Sequence, residues 1–170
     1  VQPALKDFLY DQIKNPNCPA GIRIPRKNYI MGRFMHSAYP DYMLRFFQKE
    51  GTTWPPNVHS TAQVQGEIYT IPANRKDLAF IHLANEPISV TIRKMNTYTD
   101  LEVERRSARN YGYFALIFHP LLRFLRFYLF KGGFRDGIPG LIWAYEYAYY
   151  KFITVAKVIG SKVKPEDYDE

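Results

Sequence analysis

Cysteine is almost absent from the 170-residue chain. The single Cys18 can close no internal disulfide, which points to a reducing compartment. It lies in the turn-like NPNCPAG, where no Cys/His nucleophilic pair can be argued. Histidine is sparse too: His36, His59, His82 and His119 stand far apart, with no H-x-x-x-H spacing and no Cys partner, so a zinc site has no support. No Gly-rich phosphate loop occurs. KGGFRDG, residues 131–137, lacks both the spacing and the preceding strand of a P-loop or dinucleotide fold. No apolar run reaches 18 residues, and the longest uncharged stretch of the aromatic-rich region, Asn110–Leu122, has 13, so a spanning helix is not expected. Asp7 and Asp11 interrupt the first residues, which do not read as a signal peptide. RNP, KH and zinc-finger patterns are missing, and the basic residues lie among bulky aliphatics, so nucleic acid is not an expected partner.

What is plentiful is aromatic and basic. The chain has 14 Tyr, 12 Phe and 2 Trp, and a net charge of +7. Between Asn110 and Lys162, seven Lys and Arg face only Asp136 and Glu146. That balance suits an anionic partner such as a membrane surface or a phosphorylated substrate. The hydrophobic share of 46% and the length fit a folded domain that buries roughly 70% of its unfolded surface.

The hydrophobic pattern predicts strands first and helices last, an α+β arrangement. QPALKDFLYDQIKN reads as a short helix with Leu5, Phe8, Leu9 and Ile13 on one face. GIRIPRKNYIMG alternates like a strand, and Pro25 places it at a sheet edge or bulge. YMLRFFQ, AQVQGEIYTI (split at Gly66) and LAFIHL read as further strands, with His82 placed to bond the loop that follows. From Ile88 the period becomes helical, through Ile92, Met95, Thr99 and Val103 to about Asn110. A second helix carries FALIFHPLLRFLRFYLFK, broken or restarted at Pro120, with His119 as a packed or capping residue. A third begins near Pro139. Rings on nearly all sides of the last two helices exceed one narrow core stripe. They fit mutual packing, and they fit a membrane surface that accepts both rings and cations.

In YPDYMLRFF, Asp41 stands at the start of a strand. Even alternation would put residues 41, 43 and 45 on one face, so Asp41 and Arg45 are expected to line one surface. A carboxylate can take a proton from a hydroxyl and an arginine can hold a phosphate. A plain surface ion pair is the alternative.

Five segments extend this reading: AGIRIPRKNYIMGRF, YPDYMLRFFQKEGTTW, NVHS, FIHLANEPISVTIRKMNTYT and FLRFYLFKGGFRDGIPGLIWAYEYAYYKF. In this order they resemble the C-terminal half of glycosyltransferase family 2 proteins, of the branch that builds lipopolysaccharide cores and related surface glycans. The resemblance spans nearly the whole chain. It implies the C-terminal part of a GT-A fold, with a few mixed or antiparallel strands followed by aromatic helices. Residues 1–85 would form a strand-rich acceptor side, and residues 86–170 a helical region with an acidic tail. The implied reaction is inverting transfer of a sugar from a nucleotide-sugar donor to an acceptor hydroxyl on a glycan or lipid-linked acceptor. A divalent metal, Mg²⁺ or Mn²⁺, would bind an aspartate-rich motif expected upstream of Val1, with no ligands in this chain.

On the same resemblance Asp41 and His59 are candidate catalytic residues, and Arg45, Arg26 and Trp54 candidate substrate-binding residues. Arg26 and Asn28 match strand positions that a purely structural role would also explain. The family's V-H-E reads VHS here, with Ser60 where the acid is expected, which puts the identity of the base in doubt. A cytoplasmic enzyme peripheral on the inner membrane face is implied, and a homo-oligomer is allowed. The competing reading is a non-catalytic module that keeps the membrane- or partner-binding surface of such an enzyme.

Overall fold

The computed structural model describes residues 1–55, 61–84 and 86–163. It is a mixed α+β structure with the long helices after the strands, and it divides into two compact units, Val1–Ala84 and Asn85–Glu170.

The first unit opens with helix α1 (Pro3–Lys14). Pro3 suits the first turn because the amide it lacks would have no helical partner there. Strand β1 (Gly21–Ile30) follows and organises a mixed five-stranded sheet. On one side it pairs antiparallel with β2 (Arg33–Phe34) and β3 (Asp41–Phe47). A two-stranded ribbon of β4 (Thr52–Thr53) and β5 (Gln63–Val64) stands apart from it. On its other side β1 pairs parallel with β6 (Ile68–Thr70) and β7 (Phe80–Ala84). Leu5 of α1 packs on Ile22 and Ile24 of β1 and on Ile71 and Leu78, forming the buried core. Removing each of these side chains from water contributes roughly 1.5–3 kcal/mol.

Two expectations change here. β1 is the central strand, so of the edge or bulge that Pro25 argued for, the edge is excluded, and the proline sits where the ladder is interrupted. The proline is tolerated because β6 pairs with residues 21–23 and β7 with residues 26–30, leaving positions 24 and 25 without a ladder partner on that side. The stretch around Gly66 is two strands in two different sheets. Gly66 has φ +116°, and a Cβ there would stand 2.8 Å from that of Ala20, so the chain turns between β5 and β6 where only glycine fits.

The second unit is helical. α2 (Ile88–Arg106) ends short of the expected Asn110. α3 (Tyr113–Leu125) runs through Pro120 without a break, and residues Arg126–Phe130 continue it as a π-helical turn. A 3₁₀ turn (Gly133–Asp136) then leads into α4 (Gly137–Gly160). α4 packs on both other helices. Buried Phe127 lies flat on Tyr147, ring centroids 3.7 Å apart, and Phe124 meets Tyr145 at 4.7 Å. Lys157 of α4 ties α2 by bonding Asp100 at 2.6 Å and Thr99 at 2.9 Å. His119 is packed as expected: its ring stands edge-on to Tyr111, and Nδ1 is buried without a hydrogen-bond partner among the described residues.

Mutual packing therefore accounts for part of the aromatic surplus. Other rings stay exposed: Tyr113, Phe114, Phe118 and Phe130, together with Leu122, lie along α3 and its continuation with little cover. The 18-residue run Tyr113–Phe130 has a mean hydropathy of 1.3, and only 6% of it is buried. By length and composition this one helix is long and apolar enough to cross a membrane, even though Arg123 and Arg126 interrupt the uncharged run.

Candidate active site

The β1 face that carries Ile22 and Ile24 continues beyond the core to Arg26 and Asn28, by the two-residue period of a strand. Asp41 is the ladder partner of Arg26 across β3, and His82 is the partner of Asn28 across β7. Three neighbouring strands thus bring four polar side chains together on one sheet face.

The hydrogen bonds join them in a row. Oδ2 of Asp41 accepts from Nε of Arg26 at 2.9 Å, from Nη2 of the same guanidinium, and from Nδ2 of Asn28 at 3.0 Å. Oδ1 of Asn28 lies 3.0 Å from Nδ1 of His82. Because Asn28 uses its amide on Asp41, its carbonyl oxygen faces the imidazole. His82 then donates from Nδ1, and in the neutral ring Nε2 is an acceptor. Asn28 is buried, at 6% exposure. Arg26 and Asp41 remain partly open, with side chains 23% and 36% exposed. Among the described residues no donor reaches Oδ1 of Asp41, so the carboxylate is held through one oxygen and offers the other.

The approach to Asp41 is itself braced. The Tyr39 hydroxyl donates to the Ala73 carbonyl at 2.6 Å, and the Tyr39 ring packs edge-on against Phe34. Lys76 lies over both rings, 5.7 Å from Tyr39 and 5.9 Å from Phe34. Burial, then the charges of Tyr42 and Asp77, push the Tyr39 phenol above its ordinary range, so it stays a neutral donor.

Of the predicted site residues, the structure joins Asp41 and Arg26. Arg45 is not with them: Leu44 and Phe46 face Arg23 and Ile22, so Arg45 is the extra residue of a bulge, exposed and without a partner among the described residues. Trp54 is 55% exposed and meets Phe47 at 6.3 Å. His59, like Ser60, lies outside the described residues. His82 joins the row through Asn28; the loop it was expected to bond begins at residue 85, outside the described residues. No three His, Cys, Asp or Glu side chains gather into a metal group among the described residues. Asp41, already bound by a guanidinium, does not fit a metal ligand.

No family model matches the chain. It is similar to the lipopolysaccharide core biosynthesis glycosyltransferase LpsC of Rhizobium meliloti (strain 1021), at 26% identity over 167 residues. That match takes in 93% of this chain and 59% of the relative, so the chain spans little more than half the length of the curated protein it resembles. No solved structure matches.

The second unit holds a group that the sequence reading passed over. Glu146, on α4, lies between an aromatic hollow and a largely aliphatic one, and makes no hydrogen bond or ion pair with a described residue. Its signal was available as spacing: Trp143, Glu146, Tyr147 and Tyr150 recur at three- and four-residue steps, on one side of a helix.

Proposed function

We propose that the chain is the acceptor-side part of a glycosyltransferase of lipopolysaccharide core synthesis, of family 2 and GT-A type. The likeness to LpsC across 93% of the chain carries this reading. The row ending in Asp41 supports it chemically. Arg26 and Asn28 orient the carboxylate through Oδ2, and Oδ1 accepts the proton of the acceptor hydroxyl. The acceptor's deprotonated oxygen then attacks the anomeric carbon as the nucleoside diphosphate leaves from the opposite face, which inverts the centre. A divalent metal on the donor would be held outside the residues described.

The same reading puts the enzyme on the inner membrane face. Exposed Phe114, Phe118 and Leu122 offer apolar area to lipid, and Arg123, Arg126 and Lys131 offer charge to anionic headgroups.

A second reading, a non-catalytic binding module, is favoured by one observation: Arg26 and Asp41 are directly opposed, as an ordinary cross-strand ion pair would be. Sugar transfer by the full-length protein carrying Asp41→Asn separates the two. The transferase reading expects transfer to fall by about a hundredfold or more with the fold intact. Unchanged transfer would remove Asp41 from the chemistry, and no transfer by the unaltered protein with any nucleotide sugar would leave the module reading standing.

A further inference from the structure

Helices α2 and α4 enclose a hollow of about 310 Å³, at the lower end of the size range of small-molecule sites. Its aromatic wall is rigid. Tyr147 lies flat on buried Phe127, and Trp143 stands 5.3 Å from Tyr147. Tyr98 of α2 faces them. Into this apolar setting projects the carboxyl of Glu146, which burial alone pushes above the ordinary carboxylate range. A carboxylate among rings, with no donor from the described residues, is costly to fold and is a recurrent mark of a ligand site. At the rim Lys94 holds Glu86 at 2.6 Å, and Thr91 adds a hydroxyl.

The chemistry of this lining selects the occupant. Flat rings offer a stacking surface to the C–H face of a sugar, while a carboxylate, an ammonium and a hydroxyl meet its hydroxyl groups as acceptors and donors. A cationic ligand would also favour rings and a carboxylate; Glu86 neutralises Lys94 at the rim, and that pair with the Thr91 hydroxyl offers the donors and acceptors that a neutral polyol uses. We propose that the hollow between α2 and α4 is a saccharide-binding site, in which a sugar ring stacks on Trp143 and Tyr147 and its hydroxyls bond to Glu146 and Lys94. That the bound sugar belongs to the acceptor glycan rests on the transferase reading; the binding itself does not.

Saturation-transfer NMR on the chain tests this directly, with methyl α-mannoside, methyl β-galactoside and deacylated lipopolysaccharide core oligosaccharide as probes and tetramethylammonium as the cationic control. Transfer to the sugar C–H protons is expected with at least one saccharide. Titration should show affinity weakened at least about tenfold by Glu146→Ala and by Trp143→Leu. Glu146→Ala removes no packing ring, so it decides the matter even if Trp143→Leu does not fold. Absence of transfer to every saccharide, unchanged affinity in Glu146→Ala, or binding of tetramethylammonium in preference to all sugars would each overturn the proposal. No donor or turnover enters the measurement. Sugar binding by a protein that transfers nothing would therefore defeat the transferase reading alone, and transfer without sugar binding at Glu146 would defeat this one alone.

Discussion

Arg26 and Asp41 face each other as ladder partners across β1 and β3, and the guanidinium engages one carboxylate oxygen while the other stays open. Magnitudes decide what this pair can mean. A partly exposed ion pair contributes about 0–1 kcal/mol to stability, whereas a positioned general base contributes about 10²–10⁴ in rate. Asp41→Asn is therefore expected to change the urea midpoint little and to abolish most sugar transfer. A large loss of stability with transfer intact would reverse the assignment.

Asn28 is the link between Asp41 and His82, and it is buried. Asn28→Ala strands the groups on either side of it, at a cost of roughly 1–3 kcal/mol. Asn28→Asp should behave differently with pH, because it sets a second carboxylate against Asp41 in place of an amide donor 3.0 Å away. Above the carboxylate range the two charges repel; on acidification one is protonated and the loss shrinks. Denaturation of both variants at neutral and acid pH should show a pH-dependent deficit for Asn28→Asp only.

Gly140 marks the tightest contact of the turn between the π-helical residues and α4. An added Cβ would stand 2.0 Å from the Gly133 carbonyl oxygen and 2.8 Å from the Asp136 Cβ. The obstacle is backbone, which cannot rotate aside, so Gly140→Ala should destabilise by about 1–3 kcal/mol or more. Gly160, at the end of α4, has nothing within 4 Å of its added Cβ. Thermal melts should show Gly160→Ala neutral or stabilised by up to about 1 kcal/mol, and equal losses at both sites would contradict the packing.

Burial raises the Glu146 carboxyl, so the folded state binds its proton more readily than the unfolded chain. This group's contribution is thus most favourable below the unfolded carboxylate range and declines as pH rises through the raised folded value. Glu146→Gln, which is neutral throughout, should be more stable than the parent at pH 7, with the difference vanishing in acid. A parent more stable than the variant at neutral pH would mean that the carboxylate has a partner.

The exposed stripe of α3 predicts vesicle binding. Sedimentation with anionic vesicles should retain the protein, with retention falling as salt rises and with each of Arg123 and Arg126 replaced by Gln, at about 1 kcal/mol per cation. Phe114→Ser with Phe118→Ser should weaken binding even at low salt. Equal recovery with neutral and anionic vesicles would remove the role given to the cations.

Periodicity alone located α1, β1, β3, α2 and α4, because their apolar residues recur at intervals that one helix face or one strand face requires. The glycines of GGFRDG were also legible as a turn, while the 2.0 Å approach of α4's Gly140 to that turn was not. Asp41 stood out from its place before a strand, but its partner did not. Residues four apart along a strand lie about 13 Å from each other, whereas a directly opposed residue on the next strand is about 5 Å away, and only the sheet register names that residue. The same register set Asn28 between Asp41 and His82, 13 and 54 positions distant in sequence. Pro25 in a central strand and Pro120 inside an unbroken helix are likewise decisions of the tertiary structure. Local sequence specifies which way a side chain alternates, and the neighbouring elements decide what it meets.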